Sequence, residues 1–474
     1  MRFTLLISFY LFFSISTFSQ INNSYANELH KKTTNYISKS LNYLKSSQLK
    51  ENDSIFKFKG EWETQMSMNF WFPMLGNETS AYDSNCFSTA TIHNILAEIY
   101  LNYPEYEQIP LMLDLAFQRI LAYKTGYTFN FWNELPDLKS YRKNKEIEYV
   151  RRPNNFSLPV RYIQKAANVA DDADDTAAGL MAIYYQNKIN DQNIPDSLND
   201  IHKIFDQYID YNRNNRNWYN VWQGQGINTK AYLTWFGEEH SETRPWNILR
   251  EFLHQISLLT PLSKMYPHAG EPYIPYGSND IDIVVNMNIL RMFSLYDNNE
   301  SLVKHYSAAF VEDQILKEKF DYKAVYYPNQ FHIPYYVTKA YHSGVKELEK
   351  SSKIVEKFIL QEFEENGHWV SRSGINKGDS LQSTIYAVSA LLNSGGLNSA
   401  KSEKAIVAGL DSILSKSIET DNEIHWTGGV FFSGGTVVRD VLHWKSDAVT
   451  TALVLELLVN LRNHLENKYP ELKD

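Results

Sequence analysis

Apolar residues recur three and four apart through long stretches of this chain. Ile92, Ile95, Leu96 and Ile99 mark one stretch and Leu381, Ile385, Val388 and Leu391 another, while residues 111–121 and 448–461 supply two more. That spacing predicts helices. Strand-like alternation is short and scattered: Val430-Phe431-Phe432 and Val437-Val438, set between glycines, predict a small hairpin near the C-terminus. No Pro- or Ser-rich linker divides the chain, so one domain is expected.

Two themes alternate along the sequence about six times. One is an Asp ahead of small hydroxyl residues and an apolar helix. It occurs as Asp83 with Ser88-Thr89-Ala90, Asp174-Asp175-Thr176-Ala177, Asp379 with Ser383-Thr384, and Asp447 with Thr450-Thr451-Ala452. Asp280-Ile281-Asp282 is a variant without the hydroxyls. The other theme is a loop carrying an aromatic: Trp62, Trp132, Trp218, Tyr326-Tyr327, Trp369 and Trp426. Helical hairpins repeated in this way bury their apolar faces only by stacking. Six units predict an all-α fold, a single-domain (α/α)6 toroid whose inner helices point their N-termini at a central cavity. One Asp per unit then reads as a helix cap.

The N-terminus changes the expected setting. Met1-Arg2, an apolar run from Phe3 to Phe13 and the small residues of Thr17-Phe18-Ser19 read as a secretory signal over residues 1–19. The toroid would then occupy 20–474, in the periplasm or outside the cell; a retained N-terminal anchor is the alternative. The only cysteine, Cys86, excludes an intrachain disulfide framework and a Cys-based zinc site. A net charge of −9 excludes a nucleic-acid partner that reads phosphates. Aromatic residues form 14 % of the chain, which suits a cavity lined by flat rings.

The residues 171–175 hold four carboxylates, more than a cap needs. Carboxylates this close raise one another's pKa, and a carboxyl kept protonated near neutral pH is a strong general acid. Asp172, Asp174 and Asp175 are therefore catalytic candidates, with a capping role as the alternative. Asp280 and Asp282 form a second cluster that would open onto the same cavity, as substrate-binding groups or as the partner of Asp174 in an acid–base pair suited to glycoside chemistry, with helix capping as the alternative. Trp132, Trp218, Trp222, Trp235, Tyr335 and Trp369 are the cavity-lining candidates, with core packing as the alternative. His254, His332 and His443 read as hydrogen-bonded histidines. Arg151-Arg152-Pro153 and Arg244-Pro245-Trp246 are possible anion holders.

Asp172-Ala173-Asp174-Asp175-Thr176-Ala177 resembles the D-x-D-D-T-A motif of class II terpene cyclases, the superfamily of the squalene–hopene cyclases. Gln361-Glu362-Phe363-Glu364-Glu365-Asn366-Gly367-His368-Trp369 is similar to the Q-x(2–5)-G-x-W repeat of those α/α barrels. The resemblance implies that Asp174 protonates an alkene or epoxide, and that Asp172 and Asp175 position it and hold its proton. It implies an isoprenoid substrate, no cofactor for the protonation step, and peripheral contact with a membrane. In a second register Asp171, Asp172 and Asp175 read as D-D-x-x-D, which in ionisation-type prenyl enzymes holds Mg²⁺.

Export points instead to a carbohydrate-active (α/α)6 enzyme, a hydrolase, lyase or dehydratase acting on an oligosaccharide. A toroid that only binds a ligand is the third reading.

Overall fold

Six long helices begin where a short polar side chain or a loop stops the preceding segment, and they are buried on nearly every face. They are α2 (Cys86–Asn102), α4 (Ala173–Ile189), α7 (Ile283–Leu295), α9 (His332–His342), α11 (Leu381–Ser394) and α13 (Asp447–Lys468). Asn85 caps α2 by accepting from Ser88 N, Asp172 caps α4 from Asp174 N and Asp175 N, and Asp282 caps α7 from Val284 N and Val285 N. Ser446 caps α13, and Asp379 Oδ1 accepts from Gln382 N at the start of α11. These bonds satisfy donors that a helix leaves open.

The computed structural model describes residues 23–53, 56–68, 80–136, 149–154, 168–213, 216–222, 228–239, 272, 274, 278–297, 301–317, 320, 323–372, 374–435, 439–440 and 442–473. The signal-like segment 1–19, Arg244-Pro245-Trp246, His254 and Val437-Val438 lie outside them.

The six helices form a closed ring. In the order α2, α4, α7, α9, α11, α13 each packs on the next, and α13 returns to α2. Outside them lie α1 (Asn23–Ser47), α3 (Ile109–Leu121), the short α5 (His202–Phe205), α8 (Leu302–Leu316), α10 (Glu349–Asn366) and α12 (Ala400–Leu414). Each precedes an inner helix in sequence, which gives the expected (α/α)6 toroid. The short α6 (Trp218–Trp222) stands between α5 and α7 in the chain. The outer helices bury one stripe only: α10 buries Ser351, Ser352, Val355, Ile359 and Glu362, three and four apart.

The aromatic loops bolt the outer layer. Trp62 Nε1 donates to Leu44 O of α1 (2.7 Å), Trp369 Nε1 to Ile359 O of α10 (3.0 Å) and Trp426 Nε1 to Ile413 O of α12 (2.8 Å). Each tryptophan follows its outer helix and returns to a carbonyl in that helix's C-terminal half.

The repeating Asp is not always the cap. Asp83 gives that place to Asn85, and Asp447 Oδ1 accepts from Gly428 N (2.6 Å) while Ser446 caps. The small hairpin also becomes something larger. Strands β1 (Gln65–Met68), β2 (Ser80–Tyr82), β9 (Val430–Ser433) and β10 (Leu442–Lys445) form an antiparallel sheet in the order β2-β1-β10-β9. Since β2 leads into α2 and β10 into α13, this sheet sits at the end of the ring where the inner helices start. Among the described residues the other strands are the two-residue β3 (Lys124–Thr125), β4 (Thr128–Phe129), β7 (Ile418–Glu419) and β8 (Ile424–His425), and the three-residue β5 (Glu134–Pro136) and β6 (Tyr149–Arg151).

Candidate active site

The four carboxylates of 171–175 go to different places. Asp171 stays outside α4, paired with Arg151 Nη1 (2.9 Å) and accepting from Thr128 Oγ1 (2.5 Å) and Asn130 Nδ2 (3.2 Å). Asp172 spends Oδ1 on the helix cap, at 3.0 Å from Asp174 N and 2.8 Å from Asp175 N. Asp174 is 4 % exposed and belongs to the first turn of α4. Its Oδ1 accepts from Asn288 Nδ2 of α7 (2.8 Å) and its Oδ2 from the hydroxyl of Tyr327.

Burial dominates the electrostatics. It pushes the Asp174 carboxyl up to about 7, with a smaller push from the charge of Asp282; the bonds from Tyr327 and Asn288 oppose it. Burial, then the neighbouring Asp174, pushes Asp175 up to about 8. Asp172 is raised well above the carboxylate range by burial and by Asp175. Asp172 Oδ2 and Asp175 Oδ1 meet no N–H or hydroxyl donor. A bond between these two carboxyls therefore requires a proton on one of them.

A second buried acid faces the same tyrosine loop. Tyr326 OH donates to Asp280 Oδ2 (2.7 Å) and accepts from Trp235 Nε1 (3.1 Å). Burial brings Asp280 up to about 6, against the bond from Tyr326. Asp282 takes the capping role. Its Oδ1 accepts from Val284 N (2.6 Å) and Val285 N (3.1 Å), and its Oδ2 from Val325 N and from Tyr326 N (3.0 Å). With four main-chain donors on it, Asp282 is a framework group and not a substrate ligand.

Tyr326 and Tyr327, read from sequence only as loop aromatics, are the residues that join the two acids. Around them the rings close up. Phe432 of β9 lies 5.7 Å from both tyrosines, 5.3 Å from Phe131 and 5.5 Å from Trp444, centroid to centroid, and Phe87 packs 6.0 Å from Tyr327. Asp83 lies at the far side of this cluster, where its Oδ2 accepts from Trp444 Nε1 (2.7 Å) and Trp132 Nε1 (3.2 Å); burial raises it to about 7. The ladder pair Trp444↔Phe432 explains how sequence-distant rings meet.

The aromatic candidates divide accordingly. Trp235 and Trp132 join the cluster. Trp369 is bolted to α10, away from it, and Trp222 is 71 % exposed, so neither contributes. Trp218 begins α6. Among the histidines, His332 packs 5.4 Å from Tyr327, and burial brings it down to about 3, a neutral ring. Of the possible anion holders, Arg151 is taken by Asp171, and Arg152 donates to the carbonyls of Pro136, Pro153 and Asn154.

Tyr335 lies in a charged layer further along the inner helices. Its hydroxyl donates to Glu456 Oε2 (2.6 Å), and Lys339 Nζ reaches Glu456 (2.7 Å), Tyr335 OH (3.0 Å) and Glu98 (4.0 Å). Arg291 pairs with Glu98, which also accepts from Tyr185 OH. Burial would raise Glu98, but Arg291 and Lys339 outweigh it and hold the carboxyl below its ordinary range. Two acids and two cations thus balance inside the ring.

Among the described residues, no three His, Cys, Asp or Glu side chains are arranged to hold a metal ion, and no helix is long and apolar enough to cross a membrane.

No protein-family model and no characterised protein sequence matches the chain. Solved structures do. A variant of the type II terpene cyclase MstE from Scytonema, in complex with its product merosterolic acid A, superposes with a TM-score of 0.53 at 10 % identity, over 92 % of this chain and 99 % of that one. The apo enzyme gives 0.50 at 11 % identity over the same shares. Cellobiose 2-epimerase from Bacillus thermoamylovorans gives 0.47 at 12 % identity over 92 % and 99 %, too low to draw on. The chain therefore has the single α/α toroid of the type II terpene cyclases; identity this low establishes the fold alone.

Proposed function

We propose that this chain is an exported, protonation-initiated cyclase of a linear isoprenoid, with Asp174 as the general acid. The observation that carries the reading is a buried carboxyl, raised to about 7 by its surroundings, at the start of an inner helix and beside a cluster of aromatic rings. An acid of that strength is still half protonated at neutral pH.

In this reading the Asp174 proton passes to an alkene carbon, and the positive charge appears on the adjacent carbon of the substrate. The faces of Tyr327, Phe432 and Phe87 stabilise that cation through their quadrupoles. The carboxylate left behind keeps two neutral donors, Tyr327 OH and Asn288 Nδ2, which lower the energy of the conjugate base. The Asp172–Asp175 pair keeps a proton behind Asp174, so the run is not fully charged when Asp174 ionises. Cyclisation ends when the cation returns a proton. Protonation itself calls on no cofactor. With Asp171 engaged by Arg151, Thr128 and Asn130, the residues favour the D-x-D-D register over the Mg²⁺-holding one. An isoprenoid partitions into bilayers, so delivery from a membrane surface forms part of the proposal.

One observation favours the carbohydrate reading. Asp280 at about 6 and Asp174 at about 7 face adjacent tyrosines, an acid–base pair of the kind glycoside chemistry uses.

The test offers squalene, linear prenyl diphosphates and an acidic-polysaccharide panel to the purified mature protein and to Asp174→Asn, with products read by mass spectrometry. Cyclised isoprenoid from the wild type and none from Asp174→Asn is expected. Turnover that survives the substitution overturns Asp174 as proton donor; sugar products overturn the isoprenoid.

A further inference from the structure

Five of the eight main-chain polar groups in the segment from Ala324 to Tyr327 are claimed from outside it. On one side Asp282 Oδ2 takes Val325 N and Tyr326 N. On the other, the Arg439 guanidinium donates to Ala324 O and, at 3.5 Å, to Val325 O, and also to Tyr219 OH. Ser433 of β9 donates from its N (2.9 Å) and Oγ (3.3 Å) to Tyr326 O. An anion thus holds the amide hydrogens and a cation the carbonyls of one short stretch. All four of these residues, Asp282 and Arg439 are buried.

Such a clamp exceeds what a loop needs for stability. A turn at the end of a ring can solvate its amides, whereas bringing in a buried Asp and a buried Arg carries a desolvation cost unless their bonds are well made. The return is positional. The clamped stretch carries two consecutive phenols, and each hydroxyl ends on a different acid: Tyr326 on Asp280 and Tyr327 on Asp174. Asp282 is also the N-cap of α7, and α7 carries Asn288, the other donor to Asp174. One carboxylate therefore sets the register of both donors. Hydrogen-bond geometry at this level is sensitive to shifts of a few tenths of an ångström, so fixing the backbone fixes the acid's environment.

We infer that Asp282 and Arg439 are positioning residues, which act on the acid Asp174 through the 324–327 backbone by holding Tyr327 on its carboxylate. The inference rests on Asp174 being the acid, but its readout does not require turnover.

The experiment follows the titration of Asp174 by pH-dependent infrared difference spectra, with Asp174→Asn as the subtraction. Asp282→Asn, Arg439→Met, Tyr327→Phe and the remote Trp426→Phe are compared in the full mature chain. The Tyr327 bond lowers the Asp174 pKa, so losing it moves the titration to higher pH. Arg439→Met is expected to move it upward as Tyr327→Phe does, and Asp282→Asn upward by less, since it also removes a charge that raises Asp174, while Trp426→Phe leaves it in place despite its loss of Tm. If cyclisation is found, kcat falls roughly ten- to a hundredfold in both variants with KM within about twofold. The two substitutions act on opposite sides of the loop, so one remains informative if the other fails to fold. A titration unchanged in the clamp variants, or unmoved by Tyr327→Phe itself, overturns the inference. Shifted titrations in a protein that cyclises no isoprenoid uphold the clamp and overturn the cyclase reading.

Discussion

Asn288 Nδ2 meets Asp174 Oδ1 at 2.8 Å, across the gap between the second turn of α7 and the first turn of α4. The donor is a neutral amide. An arginine there would hold the carboxyl ionised at neutral pH, as Arg291 and Lys339 do for Glu98. With only an amide and a phenol as partners, burial wins, and Asp174 rises to about 7.

Removing the amide should therefore weaken the acid. In Asn288→Leu the Asp174 titration is expected about one to two pH units higher, since a hydrogen bond to a charged group contributes about 1.5–3 kcal/mol. The alkaline limb of activity moves up with it, while the maximal rate falls because a weaker acid protonates an alkene more slowly. A pH–rate profile beside the infrared titration checks both shifts.

The same raised pKa has a cost in stability. Asp174 binds its proton more tightly folded than unfolded, so stability falls as pH rises from about 4 through about 7. Asp174→Asn removes that term. The variant is expected to melt above the wild type at pH 8 and to lose this advantage near pH 4, with an upper bound on the order of 4 kcal/mol. Calorimetry at the two pH values measures the difference; equal Tm differences at both would show that Asp174 is not raised.

The charged layer deeper in the ring responds differently. Lys339→Met leaves Glu456 without its cation and is expected to destabilise the fold by about 3–5 kcal/mol in urea unfolding. Lys339→Met with Glu456→Leu should recover part of that loss, because Glu98 still has Arg291. A double variant no more stable than the single one would sink this account.

Trp369 separates a structural from a substrate role. Trp369→Phe loses the bond to Ile359 O, and about 1–3 kcal/mol of stability should go with it. Its kcat and KM, per folded molecule, are expected to match the wild type. Trp235→Phe takes a donor from Tyr326 OH and should lower the rate with a smaller loss of Tm.

Hydrophobic period reached helices of both layers: residues 92–99, 381–391 and 448–461 lie in the inner α2, α11 and α13, and 111–121 in the outer α3. Helices such as α10 bury one stripe, so their apolar residues fall three and four apart. The inner α4 hides that pattern: it buries Ala173 through Ala182 without a break, Asp174, Asp175 and Thr176 included. The alternation of acidic starts and aromatic loops marks it instead. Its sides are equally crowded. A Cβ on Gly179 would stand 2.7 Å from the ring of Phe129.

At the site, composition pointed to the run 171–175 and the D-x-D-D register to Asp174, but neither showed what each carboxylate meets. One Asp pairs with an arginine, one caps, and one receives a phenol from 153 residues away. The same limit left Asp282 and Trp369 open between a framework role and a substrate role. An Asp that caps a helix and an Asp that meets a ligand have the same local sequence, and a tryptophan bolting an outer helix resembles one that lines a cavity.

The sequence by itself determined that helical hairpins repeat about six times and that one unit carries surplus carboxylates, because hydrophobic period and local composition are properties of neighbours along the chain. Only the tertiary structure decided which carboxyl stands beside the aromatic rings, since closing the ring brings Tyr327, Asn288 and Phe432 onto α4. The strength of the acid is set by burial and by these distant donors, none of which is adjacent to Asp174 in the chain.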